Sequence, residues 1–504
     1  MPPPEHLSWL VGELRALASD LSAGDDDLPL VVAIDQGGHA SRAMAFEIGG
    51  RLRAEAFAPI STFRRRTDRV EHDPEEVNES IRTALADLHQ ALGDSADRVL
   101  AAGLATQRSS IVCWDLRTNK ALTPILSWQD RRNAALIERL RHEEPRVRQT
   151  TGLPLTPHYG ASKMRWCLDN VPEVSEAASI KRLAMGPLAA WLLRSLLSER
   201  PFVVDVVNAT RTQLLDLRTA DWSGDMLELF GISRSTLPRV VANRRAYGHI
   251  AFGDRSIPVA VCTGDQAAMP FAYGRPDENT IYLNIGTGAF LQRLARFDEA
   301  PEGMIGGILW RDEQEGDAPM QTIEGTVNGA GSAIDWLSER CGIDTHRAAL
   351  SLTRAKVGDS QPLVFLNGVS GVGSPFWRSL EPRFIGEGSD KQRLIAVVES
   401  IAFLIRENVA RMRDGVTRIL ASGGLAASDY LCECIASLSG IPLERTSLQE
   451  STATGLAYLV AGMPQTWQPQ AQFHRFEPQE HRELRERFER WRRETGLGAR
   501  GVGQ

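Results

Sequence analysis

Two aspartates stand where an apolar strand gives way to glycine. The first is Asp35, at the end of Val31-Val32-Ala33-Ile34 and just before Gln36-Gly37-Gly38. A short apolar run rich in β-branched residues predicts a buried strand, and the glycines let the backbone turn with its N–H groups exposed. Such a turn faces an anion with its N–H groups while the carboxylate faces a divalent cation or its waters, the composition of a phosphate and Mg2+ holder. The alternative is an ordinary hairpin, because Asp and Gly favour turns for conformational reasons alone. The second aspartate is Asp265, in Cys262-Thr263-Gly264-Asp265-Gln266, after Val259-Ala260-Val261 and before a helical run over 267–272.

The glycine turn recurs. Thr280 to Ile285 reads as a strand, Gly286-Thr287-Gly288 as a turn, and Ala289-Phe290-Leu291 as the returning strand. A third glycine turn follows Ile419-Leu420-Ala421 at Ser422-Gly423-Gly424-Leu425, with a helix expected over 428–439. Two strand–glycine–strand hairpins about half a chain apart predict two similar domains, each with one phosphate loop.

The elements that must position these residues fit that division. A chain of 504 residues exceeds one hydrophobic core, so two domains of about 200–250 residues are expected. Apolar content of 42% and charged content of 24% are ordinary for a globular protein. A net charge of −7 argues against a nucleic-acid partner, whose binding requires excess Lys and Arg. The six cysteines are scattered and suggest a reducing, cytoplasmic setting. No apolar run approaches the roughly 20 residues of a membrane span, and no signal-peptide pattern opens the chain, so no membrane insertion is expected.

Residues 1–28 predict an amphipathic helical extension with apolar positions from Leu7 to Leu21. A first domain is expected over 29–273, a second over 274–476, and a charged, solvated helix and tail over 477–504. In the first domain, Asp73-Pro74-Glu75-Glu76 is a helix start. Strands are expected over 98–105, 110–115 and 121–127, helices over 163–167 and 183–197, and a solvated loop around Arg64-Arg65-Arg66 and Arg69. In the second, helices are expected over 332–340, 391–411 and 452–460.

In this order the segments resemble the FGGY carbohydrate kinases, glycerol kinases among them most closely, from about residue 29 to residue 476. The resemblance rests on Ala33-Ile34-Asp35-Gln36-Gly37 with Ser41-Arg42, Val70-Glu71-His72-Asp73-Pro74, Gln107-Arg108, Trp128-Gln129-Asp130-Arg131-Arg132, Lys163-Met164-Arg165-Trp166, Asn208-Ala209-Thr210-Arg211-Thr212, Gly264-Asp265-Gln266, Gly286-Thr287-Gly288, Glu324-Gly325-Thr326, Ala330-Gly331-Ser332 and Ser422-Gly423-Gly424. It implies an α/β fold of two ribonuclease-H-like domains of the actin and hexokinase type flanking a catalytic cleft. It further implies transfer of the γ-phosphoryl group of ATP to a hydroxyl of a small polyol or sugar. Members of the family form homodimers or homotetramers, and no residue here selects between them.

The resemblance implies roles for single residues. Asp265 would accept the proton of the acceptor hydroxyl, help typically worth about 10²–10⁴-fold; the alternative is that it only caps the following helix. Asp35, with Asp265, would hold Mg2+ near the phosphates. Gly37, Gly38, Arg42, Gly286, Thr287, Gly288, Gly331, Gly424, Leu425 and Ser428 would form the nucleotide side, with packing the alternative for Gly331 and Gly424 and a surface pair the alternative for Arg42. Arg108, Ser109, Trp128, His158, Asp265 and Gln266 would face the acceptor. Here the chain departs from glycerol kinases, which carry Glu at the position of Ser109, Tyr at His158, Thr-Thr at Gly38-His39 and usually Asn at Ser428. A shorter, neutral Ser109 implies a larger pocket and an acceptor other than glycerol. A glycerol kinase with an altered pocket and a non-catalytic sugar or nucleotide sensor are the alternatives.

Overall fold

The computed structural model describes residues 28–66, 68–313, 318–341, 345–357 and 363–497. The expected N-terminal extension and its Gly-Asp linker lie outside the described residues, apart from Leu28. The chain forms two compact units. One holds the chain up to Pro276, with Gly307–Gln321 and Glu450–Gln470 returning to it; the other holds Asp277–Gly306, Thr322–Gln449 and the chain from Ala471 onward. The C-terminal helix Arg482–Thr495 belongs to the second unit.

The first unit is built on a six-stranded sheet of β1 (Leu30–Gln36), β2 (Ala40–Glu47), β3 (Leu52–Pro59), β4 (Val99–Thr106), β5 (Arg244–Phe252) and β6 (Arg255–Gly264), in the order β5-β6-β4-β1-β2-β3. β1 pairs antiparallel with β2 and parallel with β4, and β4 pairs parallel with β6. All seven residues of β1 are buried, as its unbroken apolar run requires of a strand covered on both faces. The second unit has β7 (Thr280–Ile285), β8 (Ala289–Leu294), β9 (Met320–Val327), β10 (Arg418–Ser422), β11 (Leu443–Thr446) and β12 (Phe473–Phe476), in the order β9-β8-β7-β10-β11-β12. β7 pairs antiparallel with β8 and parallel with β10, and β10 parallel with β11. Six strands of one unit thus repeat the order and directions of the other. They differ in chain order at one edge, where the antiparallel strand precedes its partner in the first unit, as β5, and follows it in the second, as β12.

Local signals set the main helices. Asp73 caps Pro74–Leu92, its carboxylate accepting from the N–H groups of Glu75 and Glu76. Ser389 and Gln392 form a capping box at the start of Asp390–Met412. Four expectations are corrected. Of the helix expected over 183–197, Leu183–Pro187 is instead a strand paired with Ile111–Asp115, and only Leu188–Leu196 is helical. The strand expected over 121–127 shrinks to Ile125–Leu126. The arginine segment is not a loop: Phe63–Arg66 is an edge strand paired with Arg69–His72, with Arg65 Nε 3.1 Å from Glu71 Oε2. The C-terminal helix Arg482–Thr495 is not a solvated cap. It buries Leu484, Phe488 and Trp491, and the Arg487 guanidinium grips Glu399 through two bonds of 2.9 and 2.7 Å. Its high charge misled because one narrow apolar stripe is enough to dock a helix.

Within the first unit the helix Ser451–Val460 lies on the sheet and on the segment after β6. Contact is close because both surfaces carry glycine. A Cβ on Gly455 would fall 1.9 Å from the Ala268 carbonyl oxygen, and one on Gly103 in β4 would fall 2.6 Å from Val460. Thr452 Oγ1 donates to the Asp265 carbonyl at 3.3 Å. Gly455→Ala should push the segment after Asp265 aside and destabilise the protein by about 1–3 kcal/mol, as overpacking does; thermal unfolding with and without Mg·ATP measures this, and an unchanged melting temperature would contradict the packing.

Candidate active site

Ligands of parallel α/β sheets collect at the carboxyl ends of the strands, and the chemistry-bearing residues of the first unit sit there. Register keeps the ends of β1, β4 and β6 level: Asp35 is opposite Ala105, which is opposite Thr263, and Gln36 is opposite Thr106, which is opposite Gly264. Asp35 therefore closes β1, Arg108 follows β4, and Asp265 follows β6. Asp265 Oδ1 lies 3.8 Å from Arg108 Nε, and the Asp265 side chain stays 25% exposed. Glycine at 264 is what admits the arginine, since a Cβ there would fall 2.5 Å from Arg108 Cγ and Cδ. Gly264, not Asp265, is the N-cap of the short helix Asp265–Ala268. The Asp265 carboxylate accepts the adjacent Gln266 N–H at 2.7 Å.

Asp35 is buried and its pKa is pushed up to about 7, first by burial, then by the charge of Asp265, with Arg42 opposing and Glu450 adding to the rise. Among the described residues its Oδ1 has no hydrogen-bond partner, and neither have the buried Thr263 Oγ1 and Gln266 Oε1. Orphaned buried oxygens are uncommon in native proteins, and these three share one set of strand ends. Arg42 is opposite Asp35 on β2 and pairs with Glu450 at 3.4 Å, both side chains about one-third exposed. Glu450 carries no signal in the sequence, because it lies far along the chain and reaches the site only when the helix after it docks. In the turn, the Gly37 N–H donates to Ala40 O at 3.0 Å and closes the hairpin. The space where a Gly38 Cβ would stand is open.

Nearby, a buried polar frame carries the remaining candidates. Gln107 N–H donates to Gln36 O at 3.0 Å, Ser110 Oγ donates to Gln107 Oε1 at 3.0 Å, and Trp128 N–H donates to Ser110 Oγ at 2.9 Å. Trp128 is 37% exposed. Ser109 holds a left-handed φ of 65°, uncommon outside glycine. The following segment is clamped by Asp130 and Arg132: Asp130 accepts from Arg132 Nε at 2.8 Å, and Arg132 Nη2 reaches Glu71 Oε1 at 2.6 Å. His158 is partly buried and its pKa falls to about 4, by burial first and then by the charges of Lys163 and Arg131.

In the second unit the glycine turns gather in the same way. Asn284 at the end of β7 is opposite Ser422 at the end of β10, and Asn284 Nδ2 donates to Ser422 Oγ at 3.2 Å. The Gly286 N–H closes its own turn onto Gly288 O at 2.9 Å, as Gly37 does in the first unit. Gly331 donates to Gly286 O at 2.9 Å, and a Cβ on it would lie 2.8 Å from that oxygen, so packing accounts for this glycine. Gly423 has φ of 93° and lies against the Ile285 backbone, where a Cβ would approach within 2.6 Å. Gly424 faces open space. Leu425 points into the core and offers only its backbone. Ser428 is fully buried, capping Asp429–Ser439 and donating to Ala349 O at 3.0 Å.

Among the described residues no group of three or more His, Cys, Asp or Glu side chains is arranged to hold a metal ion, and no helix is long and apolar enough to cross a membrane.

Comparison with known proteins agrees with both units. Residues 30–272 match the N-terminal domain, and residues 281–463 the C-terminal domain, of the FGGY family of carbohydrate kinases. A glycerol kinase of Citrifermentans bemidjiense is 32% identical over 479 residues, covering 91% of this chain and 96% of the relative. One from Burkholderia ambifaria is 32% identical over 444 residues, covering 85% and 88%. In fold, the chain superposes on Plasmodium falciparum glycerol kinase with ADP at a TM-score of 0.82 and 21% identity, over 95% of this chain and 99% of the other. A xylulose kinase from Lactobacillus acidophilus gives 0.78 at 18% identity, over 94% and 99%. The level strand ends, the paired glycine turns and these likenesses lead to one assignment: the chain belongs to the FGGY family of carbohydrate kinases, ATP-dependent enzymes that phosphorylate a hydroxyl group.

Proposed function

We propose that this chain transfers the γ-phosphoryl group of ATP to a hydroxyl of a polyol or sugar larger than glycerol, with Asp265 as general base. The observation that carries the reading is the Asp265 carboxylate, partly exposed at a strand end and 3.8 Å from the Arg108 guanidinium. A hydroxyl is a weak nucleophile until its proton leaves, and a carboxylate within hydrogen-bond reach takes that proton as the P–O bond forms. Arg108 would orient the acceptor, Gln266 and Trp128 would line it, and His158, neutral above pH of about 4, would act as a polar contact without charge.

The donor set suits Mg2+. Asp35 offers a buried carboxylate oxygen without a partner beside a second carboxylate, and Mg2+ takes one or two carboxylates and completes its shell with water and phosphate. Asp35 and Asp265 would hold it, and the cation would neutralise charge on the transferring phosphoryl group. On the nucleotide side, Gly38, Arg42 and the turns at Gly286-Thr287-Gly288 and Gly424 are the proposed contacts. Leu425 would serve through its backbone, while Gly331 and Ser428 would act by shaping the turns.

The acceptor follows from Ser109. A hydrogen bond to a charged group contributes about 1.5–3 kcal/mol, so a serine where glycerol kinases carry Glu weakens a small triol and leaves room for a longer chain. ADP release with Mg·ATP, measured across glycerol, tetritols, pentitols and ketoses, should single out an acceptor longer than glycerol, and Asp265→Asn should lower that turnover by about 10²-fold or more. Glycerol as the best acceptor would refute the pocket argument; equal turnover in the variant would refute the general base. Ser109→Glu should raise kcat/KM for glycerol by roughly tenfold or more, read in the same assay.

Asp35 yields a stability test. Its pKa of about 7 lies above an unfolded value of about 3.9, so the folded state binds the proton more tightly. Ionising it therefore costs stability, a cost that grows as pH rises between those values and stays constant above the upper one. In EDTA, Asp35→Asn should melt higher than the wild type at pH 8 and show no gain near pH 4. A lower melting point at pH 8 would count against a strained carboxylate.

A further inference from the structure

Lys163 is fully buried near the start of the helix Gly160–Asn170, and its Nζ donates to three main-chain carbonyls: Ser109 at 3.1 Å, Ser127 at 2.7 Å and His158 at 2.6 Å. We propose that Lys163 is the positioning residue of the acceptor pocket, its ammonium group tying the segments that carry Ser109, Trp128 and His158 into one arrangement and so setting which acceptors fit. The inference rests on the functional reading above.

An ammonium group has three donors and no acceptor, and here each donor has one carbonyl. The three carbonyls come from separate parts of the chain. One belongs to Ser109, whose left-handed backbone needs outside support to persist. One belongs to Ser127, the residue before Trp128. One belongs to His158 itself. A lysine whose role was only to fill the core would be replaced by an apolar side chain at little cost, because burying the charge is unfavourable. Burial indeed pulls its pKa down to about 7, with Asp130 opposing and Arg132 adding to the fall. Lys163 touches no reacting atom in this scheme. It acts through the backbone of the residues proposed to contact the acceptor.

The test compares Lys163→Met, Lys163→Gln and Lys163→Arg with the wild type, using the acceptor that the wild type turns over best. Loss of the tie should raise the acceptor KM roughly tenfold or more, leave the KM for ATP within about twofold, and flatten the preference among acceptors, with Lys163→Gln, which keeps two donors, closer to wild type than Lys163→Met. Folded variants whose acceptor KM is unchanged, or whose acceptor and ATP constants move together, would overturn the proposal. If all three variants fail to fold, the lysine is structural and the proposal is wrong. If the wild type itself phosphorylates no acceptor on the panel, the acceptor-pocket reading fails first and the proposal falls with it, a result distinct from failure of the variants alone.

Discussion

Two carboxylates held at the level ends of β1 and β6, on either side of β4, form the constraint on which the first unit depends. Asp35 is buried, lacks a partner for one oxygen and is crowded by the charge of Asp265. Burial first, and then the like charge of Asp265, disfavour ionisation of Asp35. Much of the surrounding structure serves to keep the strand ends level. The parallel register across β1, β4 and β6 does so directly. Gly264 lets Arg108 cross beside Asp265, and the close approach of the helix Ser451–Val460 at Gly103 and Gly455 braces the turn from behind.

The repeated topology gives the glycine turns a common construction. In each unit the first glycine of the turn uses its own N–H to close the loop, Gly37 onto Ala40 and Gly286 onto Gly288. That bond removes one donor but fixes the direction of the N–H groups that follow. Tight packing then shapes the second unit's turn. Gly331 and Gly423 lie against the Gly286 and Ile285 backbones, whereas Gly424 leaves open space at the turn after β10. Glycines that look alike in the sequence thus divide into those that permit packing and those that leave a surface bare.

Buried polar networks of the first unit lie behind the residues proposed to face the acceptor. Lys163 joins three carbonyls, Asp130 and Arg132 clamp the segment after Trp128, and Arg132 continues to Glu71. A further network joins Asp205, Asn208 and Asn243 below the end of β6. Buried charge is costly unless paired and hydrogen-bonded, and fully satisfied networks favour one arrangement over its competitors. That trade explains why so many ionisable groups sit beneath a site whose own contacts are few.

The strands β1, β7 and β10, the helix that follows Asp73, the amphipathic helix expected over 391–411 and the glycine turns were legible from the chain because each is written locally, in a run of apolar residues, a capping side chain, an apolar stripe or a glycine turn. Asp35 and Asp265 were legible as candidates for the same reason, through the glycines beside them. Other features were not local. Leu183–Pro187 pairs as a strand because Ile111–Asp115 is its neighbour, and the charged C-terminal helix docks because its stripe of Leu484, Phe488 and Trp491 joins a core built elsewhere in the chain, with Glu399 there to pair Arg487. Ser428 reads as a nucleotide contact in the sequence, yet its hydroxyl is spent on a helix cap and on Ala349. The sequence by itself determined the two domains, their strand ends and the residue types offered there. Only the tertiary structure decided which ends are level, which oxygens are orphaned, and that Lys163 reaches the distant carbonyls of Ser109 and Ser127 as well as that of nearby His158, because these depend on registers and contacts between segments far apart in the chain.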